Sequence, residues 1–455
     1  MTDFSGLAIA GRIATPEDPD WDQARMAWNL AADQHPEAVA SVESADDVAE
    51  VVRFAGESDL RVTAQGSGHG ALSLPALDGT ILIKTERMRG IEVDAEAQTA
   101  RVEAGVLSLE LAEAAQEKGL ASLPGTSPDV CVTGFTLGGG LSWLSRRYGL
   151  ACNRVRAIEL VSADGEQGTV HADNEPDLFW ALRGGGGDFA IVTALHLDLV
   201  PVAEAYAGAL LFPAEVGVQG VRAWRDWTAG VSEDVTSILR FLRPPDIPDV
   251  PEPLRGKELL VIDAACIGDQ AAGEAAIAPL REIGEPILDS FGQIPAAGLC
   301  RIHMDPENPV PGFGHHSVLS ELSDEAIEAF VGVAGAGSGS PLLLAELRHL
   351  GGAIGHPDPD GGALSHLDAA FTLFAIGMVM SPEMGEAVSA GQDRLLETMQ
   401  PWRADGGYFN FADRPCDTDA ILPPDVCSRL VDVKRRWDPD GRIFGNHAVS
   451  LDAAA

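Results

Sequence analysis

The chain has 455 residues, enough for two or three domains, and 45% hydrophobic and 22% charged residues, as is usual for a globular protein. Its 69 acidic and 31 basic residues give a formal net charge of −38, which repels phosphate backbones and anionic lipid surfaces. The best apolar run, residues 371–380, is far shorter than the roughly 20 residues that a bilayer requires. Nucleic acid and membranes are therefore poor partners.

The first elements predicted are a strand, a helix and a second strand. Residues 38–42 form a short apolar run, and Ser44 with Asp47 three residues later is typical of a helix start. Residues 48–55 then place apolar side chains on one helical face. The next strand leads into Gln-Gly-Ser-Gly-His-Gly at residues 65–70, where the lack of side chains would let backbone amides approach a pyrophosphate.

The elements that follow alternate between short strands and short helices. Strands are predicted at 61–64, 81–83 and 189–199, hairpins at 91–106 and 157–170, and helices at 108–118 and 177–182. This alternation indicates an α+β domain. After Pro201 the glycine motifs thin out and helical stretches lengthen. We therefore predict two domains, one formed by residues 1–203 and closed by segment 404–455, the other by residues 204–403.

The cysteines and the amino-terminal residues indicate in which cellular compartment the protein is expected. The chain does not begin with a basic stretch followed by an apolar one, so no secretion signal is predicted. The cysteines have neither C-x-x-C nor Cys/His ligand spacing; they are Cys131, Cys152, Cys266, Cys300, Cys416 and Cys427. We therefore expect free thiols, no metal site and a cytoplasmic location.

Several glycine-rich loops occur in a fixed order, although none matches a Rossmann or P-loop fingerprint. A single loop of this kind would more often be a turn. Together, however, residues 65–70, 125–140, 143–150 and 177–193 resemble the FAD-binding domain of the berberine bridge enzyme family. Further matches are Glu346-Leu-Arg348, Tyr408-Phe-Asn-Phe411 and residues 433–446. The resemblance spans roughly residues 36–449.

This resemblance implies an α+β fold in which a two-part FAD-binding domain of the vanillyl-alcohol oxidase type joins an antiparallel-sheet substrate domain covered by helices. His69 matches the histidine that bonds the flavin 8α-methyl carbon. Ser127 stands where many relatives have a cysteine that makes a second bond, so a single link through His69 is expected. The implied cofactor-binding residues are Gly66, Ser67, Gly68, His69, Gly70, Gly125, Thr126, Ser127, Gly134, Leu137, Gly138, Gly139, Gly140, Ile191, Val192 and Asn446.

Two positions leave alternatives open. Cys131 replaces a glycine that is common in relatives; it could approach the flavin or pack in the core. Phe411 replaces a tyrosine that serves as base in several relatives. We expect Glu346 or Tyr408 to take over, since Arg348, on the same strand face as Glu346, could lower the pKa of a phenol. The candidate catalytic residues are Glu346, Tyr408, Asn410 and His316, with His315, His349 and His366 as further acid/base candidates.

The expected reaction is hydride abstraction from a C–H bond next to oxygen or nitrogen, with molecular oxygen as the final acceptor. The substrate would be a small metabolite, carbohydrate or polyketide-like molecule. The flavin would carry the redox chemistry, while protein groups orient the substrate and handle protons. A dehydrogenase with another acceptor, an oxidative cyclase and a flavin-binding protein without turnover remain as alternatives.

Overall fold

The helices frame three β-sheets in the computed structural model, which describes residues 2–248, 250–416 and 418–451. The α-helices of these residues are α1 (Trp21–Arg25), α2 (Ala45–Glu57), α3 (Ser108–Gln116), α4 (Val132–Leu137), α5 (Ser145–Tyr148), α6 (Pro176–Leu182), α7 (Gly217–Thr228), α8 (Gln270–Arg281), α9 (Asp324–Ala334), α10 (Pro382–Met399) and α11 (Pro424–Trp437). None of these described helices combines the length and the apolar character that crossing a membrane would take.

The first sheet holds the glycine-rich loop at its edge. Its strands are β1 (Arg12–Ala14), β2 (Ala38–Ser41), β3 (Arg61–Gln65) and β4 (Thr80–Lys84), in the order β1-β2-β4-β3. β4 lies parallel between β2 and β3, whereas β1 is antiparallel to β2. Because β3 is the edge strand, the loop that follows it is free to line a cavity.

Helix α2 begins as the sequence predicted. The Ser44 hydroxyl accepts the Asp47 N–H at 3.2 Å, and the apolar face of the helix is buried against the first sheet. The Asp47 carboxylate does not close a capping box by turning back to Ser44. It accepts the N–H groups of Ala10, Gly11 and Glu43 at 2.8, 3.0 and 2.9 Å instead, and so fixes the amino-terminal segment to the helix.

The second sheet contains both predicted hairpins. Its strands are β5 (Ile91–Asp94), β6 (Thr99–Glu103), β7 (Val155–Val161), β8 (Gln167–His171) and β9 (Ile191–Asp198). The order is β5-β6-β9-β7-β8, and all neighbours are antiparallel. The hairpins β5-β6 and β7-β8 are thus confirmed, and β9 joins them in the middle of the sheet.

The third sheet is antiparallel and has helices over one face. Its strands are β10 (Glu204–Pro213), β11 (Val235–Leu242), β12 (Leu259–Ile267), β13 (Leu288–Asp289), β14 (Gly292–Pro295), β15 (Gly312–Leu319), β16 (Leu344–His349) and β17 (Phe371–Met378). The order is β13-β10-β12-β11-β16-β17-β15, with β14 also paired to β10. Helices α7, α8, α9 and α10 bury apolar side chains against the sheet. This confirms the α+β class with a helix-covered antiparallel sheet.

The carboxy-terminal segment returns to the second sheet. Asp188, next to β9, accepts the N–H groups of Gly445 and Val449, both at 3.0 Å. Lys434 of α11 lies beside it, with its ammonium 2.8 Å from Asp438. These buried bonds hold residues 445–447 at the wall of the central cavity.

Candidate functional site

A cavity of about 410 Å³ lies between the glycine-rich loop, α4, the carboxy-terminal segment and strands β15–β17. Most residues expected to bind the cofactor or substrate line it. They are Gly66, Ser67, Gly68, His69, Gly70, Gly125, Thr126, Ser127, Gly134, Leu137, Gly138, Val192, Glu346, Tyr408, Asn410 and Asn446. Four expected residues do not line it: Gly139, Gly140, Ile191 and His316. Ile191 packs in the core beside α2 instead, and a Cβ at Gly139 would lie 3.0 Å from the Tyr408 ring.

The His69 ring is fixed by two neighbours. It stacks on Trp28 with ring centroids 3.7 Å apart and planes 19° from parallel. The Trp28 indole N–H donates to one oxygen of Asp129. The other oxygen lies 3.3 Å from Nε2 of His69, without the angle of a hydrogen bond. Asp129 therefore aligns both rings from one side and presents a negative charge to the imidazole.

The cavity has the features that a bound FAD would satisfy. The Gln65 amide is buried and neither of its polar atoms has a hydrogen-bond partner among the described residues, and the same holds for the Thr133 hydroxyl. Such groups are costly unless a ligand pairs with them. A Cβ at Gly134 would meet no atom within 4 Å and would enter the cavity itself. The residues present thus fit the cofactor that the sequence implies.

A tight contact joins α4 to the tail motif. A Cβ at Gly138 would overlap the Asn410 side chain, so glycine is required for this approach. Asn410 in turn donates to the Phe135 carbonyl at 2.9 Å and to the Tyr408 hydroxyl at 3.1 Å. The contact fixes Asn410 and Tyr408 in the cavity wall.

Cys131 packs in the protein interior. Its thiol donates to the Ala104 carbonyl at 3.0 Å, and its backbone N–H donates to Ser67 at 3.2 Å. A Cβ at Gly66 would overlap its sulfur. Burial raises the pKa of the Cys131 thiol, which disfavours the thiolate that a bond to flavin would need. Like it, Cys152, Cys266, Cys300 and Cys427 are in no disulfide.

Four charged side chains form a buried chain along the substrate side of the cavity. Glu346 accepts the Nε–H of Arg348 at 2.6 Å, which confirms that these two residues share a strand face. Its second oxygen lies 3.1 Å from Nε2 of His303, whose Nδ1 lies 2.6 Å from Asp305. Opposite charges thus alternate from Arg348 to Asp305.

The pKa of Glu346 is set by burial and by two neighbouring cationic side chains. Burial does raise it, but Arg348 and His303 outweigh burial and hold the pKa of Glu346 at about 2. Burial and Arg240 lower the pKa of His303, yet Asp305 and Glu346 outweigh them, so the net pKa is raised. Glu346 is therefore ionised at neutral pH and His303 is its cationic partner.

Tyr408 does not fit the role of a base. Its hydroxyl accepts the Leu141 N–H at 2.7 Å and the Asn410 amide at 3.1 Å. Burial raises the pKa of Tyr408 to about 12. Arg348 contacts the Phe411 ring at 4.6 Å and has its hydrogen bond with Glu346. Arg348 lowers the pKa of Tyr408, as expected, but burial outweighs this effect and the phenol stays protonated at neutral pH.

His316 supports the backbone beneath the site. Its Nε2 accepts the Tyr408 N–H at 2.9 Å, so the ring is neutral there. Burial lowers the pKa of His316 to about 3 and that of His349 also to about 3. Neither residue, nor His315 or His366, lines the cavity.

Sequence reasoning missed several cavity residues because their partners are distant in the chain. Trp28 precedes the region of family resemblance, and its partners His69 and Asp129 lie 41 and 101 positions later in the chain. His303 reaches Glu346 across 43 positions. Asp413 lies two residues after the tail motif, and a carboxylate that close to Asn410 was a usable signal.

Comparisons with known proteins show which proteins the chain is similar to. The model described as an FAD binding domain matches residues 36–171. The chain is 26% identical to (R)-6-hydroxynicotine oxidase of Paenarthrobacter nicotinovorans over 469 residues, 98% of each protein. In fold it is similar to 6-hydroxy-D-nicotine oxidase from Arthrobacter nicotinovorans, with a TM-score of 0.85 at 23% identity over 99% of this chain and 100% of the other. For berberine bridge enzyme from Eschscholzia californica the TM-score is 0.78 at 19% identity over 91% and 90%.

The chain is an FAD-linked oxidoreductase with a cavity between its sheets. Residues 36–171 match the FAD binding domain, and the chain as a whole is similar to berberine bridge enzyme-like FAD-linked oxidoreductases of the vanillyl-alcohol oxidase type. The resemblance expected from the motifs is thereby confirmed, and the protein is an enzyme.

Proposed function

We propose that this enzyme holds FAD covalently through His69 alone and oxidises a C–H bond next to oxygen or nitrogen in a small molecule, with molecular oxygen as final acceptor. Bound FAD supplies the two-electron acceptor for the hydride. The observation that carries the proposal is that His69, the glycine-rich loop and the Glu346–Arg348 pair line one cavity. The domain division at residues 203 and 404 remains part of the proposal.

The surroundings of His69 support the covalent link. Asp129 lies beside Nε2, and the stacked Trp28 holds the ring plane, which leaves Nδ1 for the bond to carbon. A carboxylate next to an imidazole stabilises the positive charge that alkylation of the ring creates. Ser127, whose hydroxyl donates to Asp305 at 2.6 Å, offers no thiol for a second link.

The charged residues support substrate orientation and proton handling. Glu346, ionised and at the cavity wall, would accept the hydrogen of the substrate O–H or N–H group. Arg348 uses Nε for Glu346, and its remaining N–H groups have no hydrogen-bond partner among the described residues. They are available to a substrate oxygen. Before the transfer, the negative charge of Glu346 is balanced by the adjacent His303 and Arg348.

The test is anaerobic mixing of the enzyme with alcohols, lactols, amines and phenolic polyketides while the visible flavin band is followed. Bleaching by one class identifies the substrate and excludes a non-catalytic flavoprotein. A stoichiometric peroxide yield on re-aeration supports the oxidase, whereas a slow return without peroxide favours the dehydrogenase or cyclase. In denaturing gels the band should fluoresce, and His69→Ala should abolish the fluorescence. Retained fluorescence in that variant would contradict the link through His69.

A further inference from the structure

Asp413 lies in the wall of the cavity, three residues after Asn410. One of its carboxylate oxygens accepts the Gly314 N–H at 2.6 Å, and this is its one hydrogen bond among the described residues. Glu346 and Asp305, the other two carboxylates of the cavity wall, each have a cationic side chain in contact. Asp413 has no such cation within 4 Å in the described part of the chain. It is therefore the carboxylate of this wall whose charge the protein leaves unbalanced.

Aromatic rings lie next to this carboxylate. A Cβ at Gly314 would lie 2.8 Å from Oδ2 of Asp413 and 2.7 Å from Cε2 of Phe374, so ring and carboxylate meet over this glycine. Phe374 stacks on Phe411 with centroids 4.3 Å apart. The outer face of Phe411 already carries Arg348 at 4.6 Å. The Phe374 ring, at the other end of this stack, thus has Cε2 and Cζ beside Asp413.

The cations nearest in sequence or structure are engaged elsewhere. Arg414 donates hydrogen bonds to Asp393 at 2.7 Å, to Ser389 and to Gln392. His315 of β15 is neutral, because burial, aided by Arg414, lowers its pKa to about 4. Burial, opposed by the Gly314 N–H, raises the pKa of Asp413 to about 7. A cationic ligand would pair with the buried carboxylate and so stabilise its charged form.

We propose that Asp413 and Phe374 form a subsite for a cationic nitrogen of the substrate, so that the substrate class is an amine. The inference rests on the proposed function and deepens it. An organic cation gains a charge-assisted contact with the carboxylate and a cation–π contact with the ring, whereas an alcohol gains neither. Arg348 recognises an oxygen at the other end of the aromatic stack. The preferred substrate therefore carries a basic nitrogen and an oxygen acceptor on an apolar frame.

The test is calorimetric binding to the holoenzyme of three probes of similar size: benzyltrimethylammonium, benzyl alcohol and benzoate. The first keeps its charge at every pH. We expect it to bind at least tenfold more tightly than benzyl alcohol, and Asp413→Asn to remove that advantage while leaving benzyl alcohol within twofold. The Asn side chain can still accept the Gly314 N–H, so the fold is retained. Asp405→Asn, which removes an exposed carboxylate outside the cavity wall, is the matched control and should change nothing.

Two outcomes would overturn the subsite: unchanged binding of the cation to Asp413→Asn, or benzoate as the tightest probe, which would assign recognition to Arg348. These outcomes are distinct from a failure of the proposed function. A preparation without flavin, or a flavin band that no class of compound bleaches, would count against the oxidase itself. Bleaching by alcohols, with no preference for the cation, would count against the amine subsite alone.

Discussion

The Ser127 hydroxyl donates to Oδ2 of Asp305 at 2.6 Å. It thereby becomes the first member of a hydrogen-bonded chain that continues through His303 and ends at Glu346. A position expected near the flavin is thus connected to the residue proposed to receive the substrate proton. Within this chain it is His303 that lowers the pKa of Glu346, together with Arg348.

The first prediction concerns the pH profile of flavin reduction. His303→Gln removes the cation beside Glu346, and the pKa of Glu346 should rise from about 2 towards its ordinary value. The wild-type rate constant should stay level from pH 6 to pH 4, whereas that of the variant should fall within this range. Anaerobic stopped flow measures both. Ser127→Ala, which removes only the far end of the chain, should keep the wild-type profile, and identical profiles in all three proteins would contradict the coupling.

Replacement of the carboxylate should have the largest effect on rate. Glu346→Gln keeps the shape of the side chain but cannot hold a substrate proton, so flavin reduction should slow by about 10²- to 10⁴-fold. The flavin fluorescence of the denatured band should be unchanged, because His69 is not affected. A loss below about threefold would rule out Glu346 as proton acceptor.

Tyr408→Phe should affect stability and spare the reaction. The substitution leaves the buried Leu141 N–H, 2.7 Å from the hydroxyl in the wild type, without its partner. We expect a loss of about 1–3 kcal/mol in the free energy of unfolding, with flavin reduction within threefold of wild type. Tyr206→Phe is the control: its hydroxyl accepts one bond from Arg281, away from the cavity wall. A tenfold slower reduction in Tyr408→Phe would restore the phenol as base.

Substitutions at two glycines distinguish an effect on cofactor binding from an effect on helix stability. Gly134 in α4 and Gly332 in α9 would each carry a Cβ that meets no atom within 4 Å. Alanine favours a helix interior by up to about 1 kcal/mol over glycine, so neither substitution should lower the melting temperature of the apoprotein. Only Gly134→Ala fills space in the cavity, and it alone should reduce the flavin-to-protein absorbance ratio. Equal flavin content in both variants would contradict the assignment of this wall to FAD.

The loss of folding stability at acidic pH should be caused in part by His316. Burial lowers its pKa from 6.5 to about 3, so below pH 6.5 the unfolded chain binds a proton that the folded protein does not. The free energy of unfolding should therefore fall as the pH drops from 6.5 towards 3, by about 1.4 kcal/mol per pH unit for this group. In His316→Gln, denaturant unfolding at pH 7.5 and pH 5 should show a smaller difference than in wild type. His35→Gln, a surface substitution at a side chain that is 66% exposed, is the control, and equal differences in all proteins would contradict this account.

Local sequence signals identified much of the fold, because they depend on neighbouring residues. Ser44 marked the start of α2, and alternating apolar residues marked the hairpins β5-β6 and β7-β8. The ordered motifs identified the family, and the loop that carries His69 was recognised from its glycines. The sharing of one strand face by Glu346 and Arg348 followed from the two-residue period of a strand.

The tertiary structure alone decided the charge states and the partners of the site. Whether Glu346 is a strong or weak base depends on His303, which approaches from another segment. Whether Tyr408 can act as a base depends on the Leu141 N–H, 267 positions away. Burial and pairing across such distances set a pKa, and they arise only when the sheets close around the cavity. The sequence by itself therefore determined the family and the cofactor loop, while packing determined which of its acids and bases are free to act.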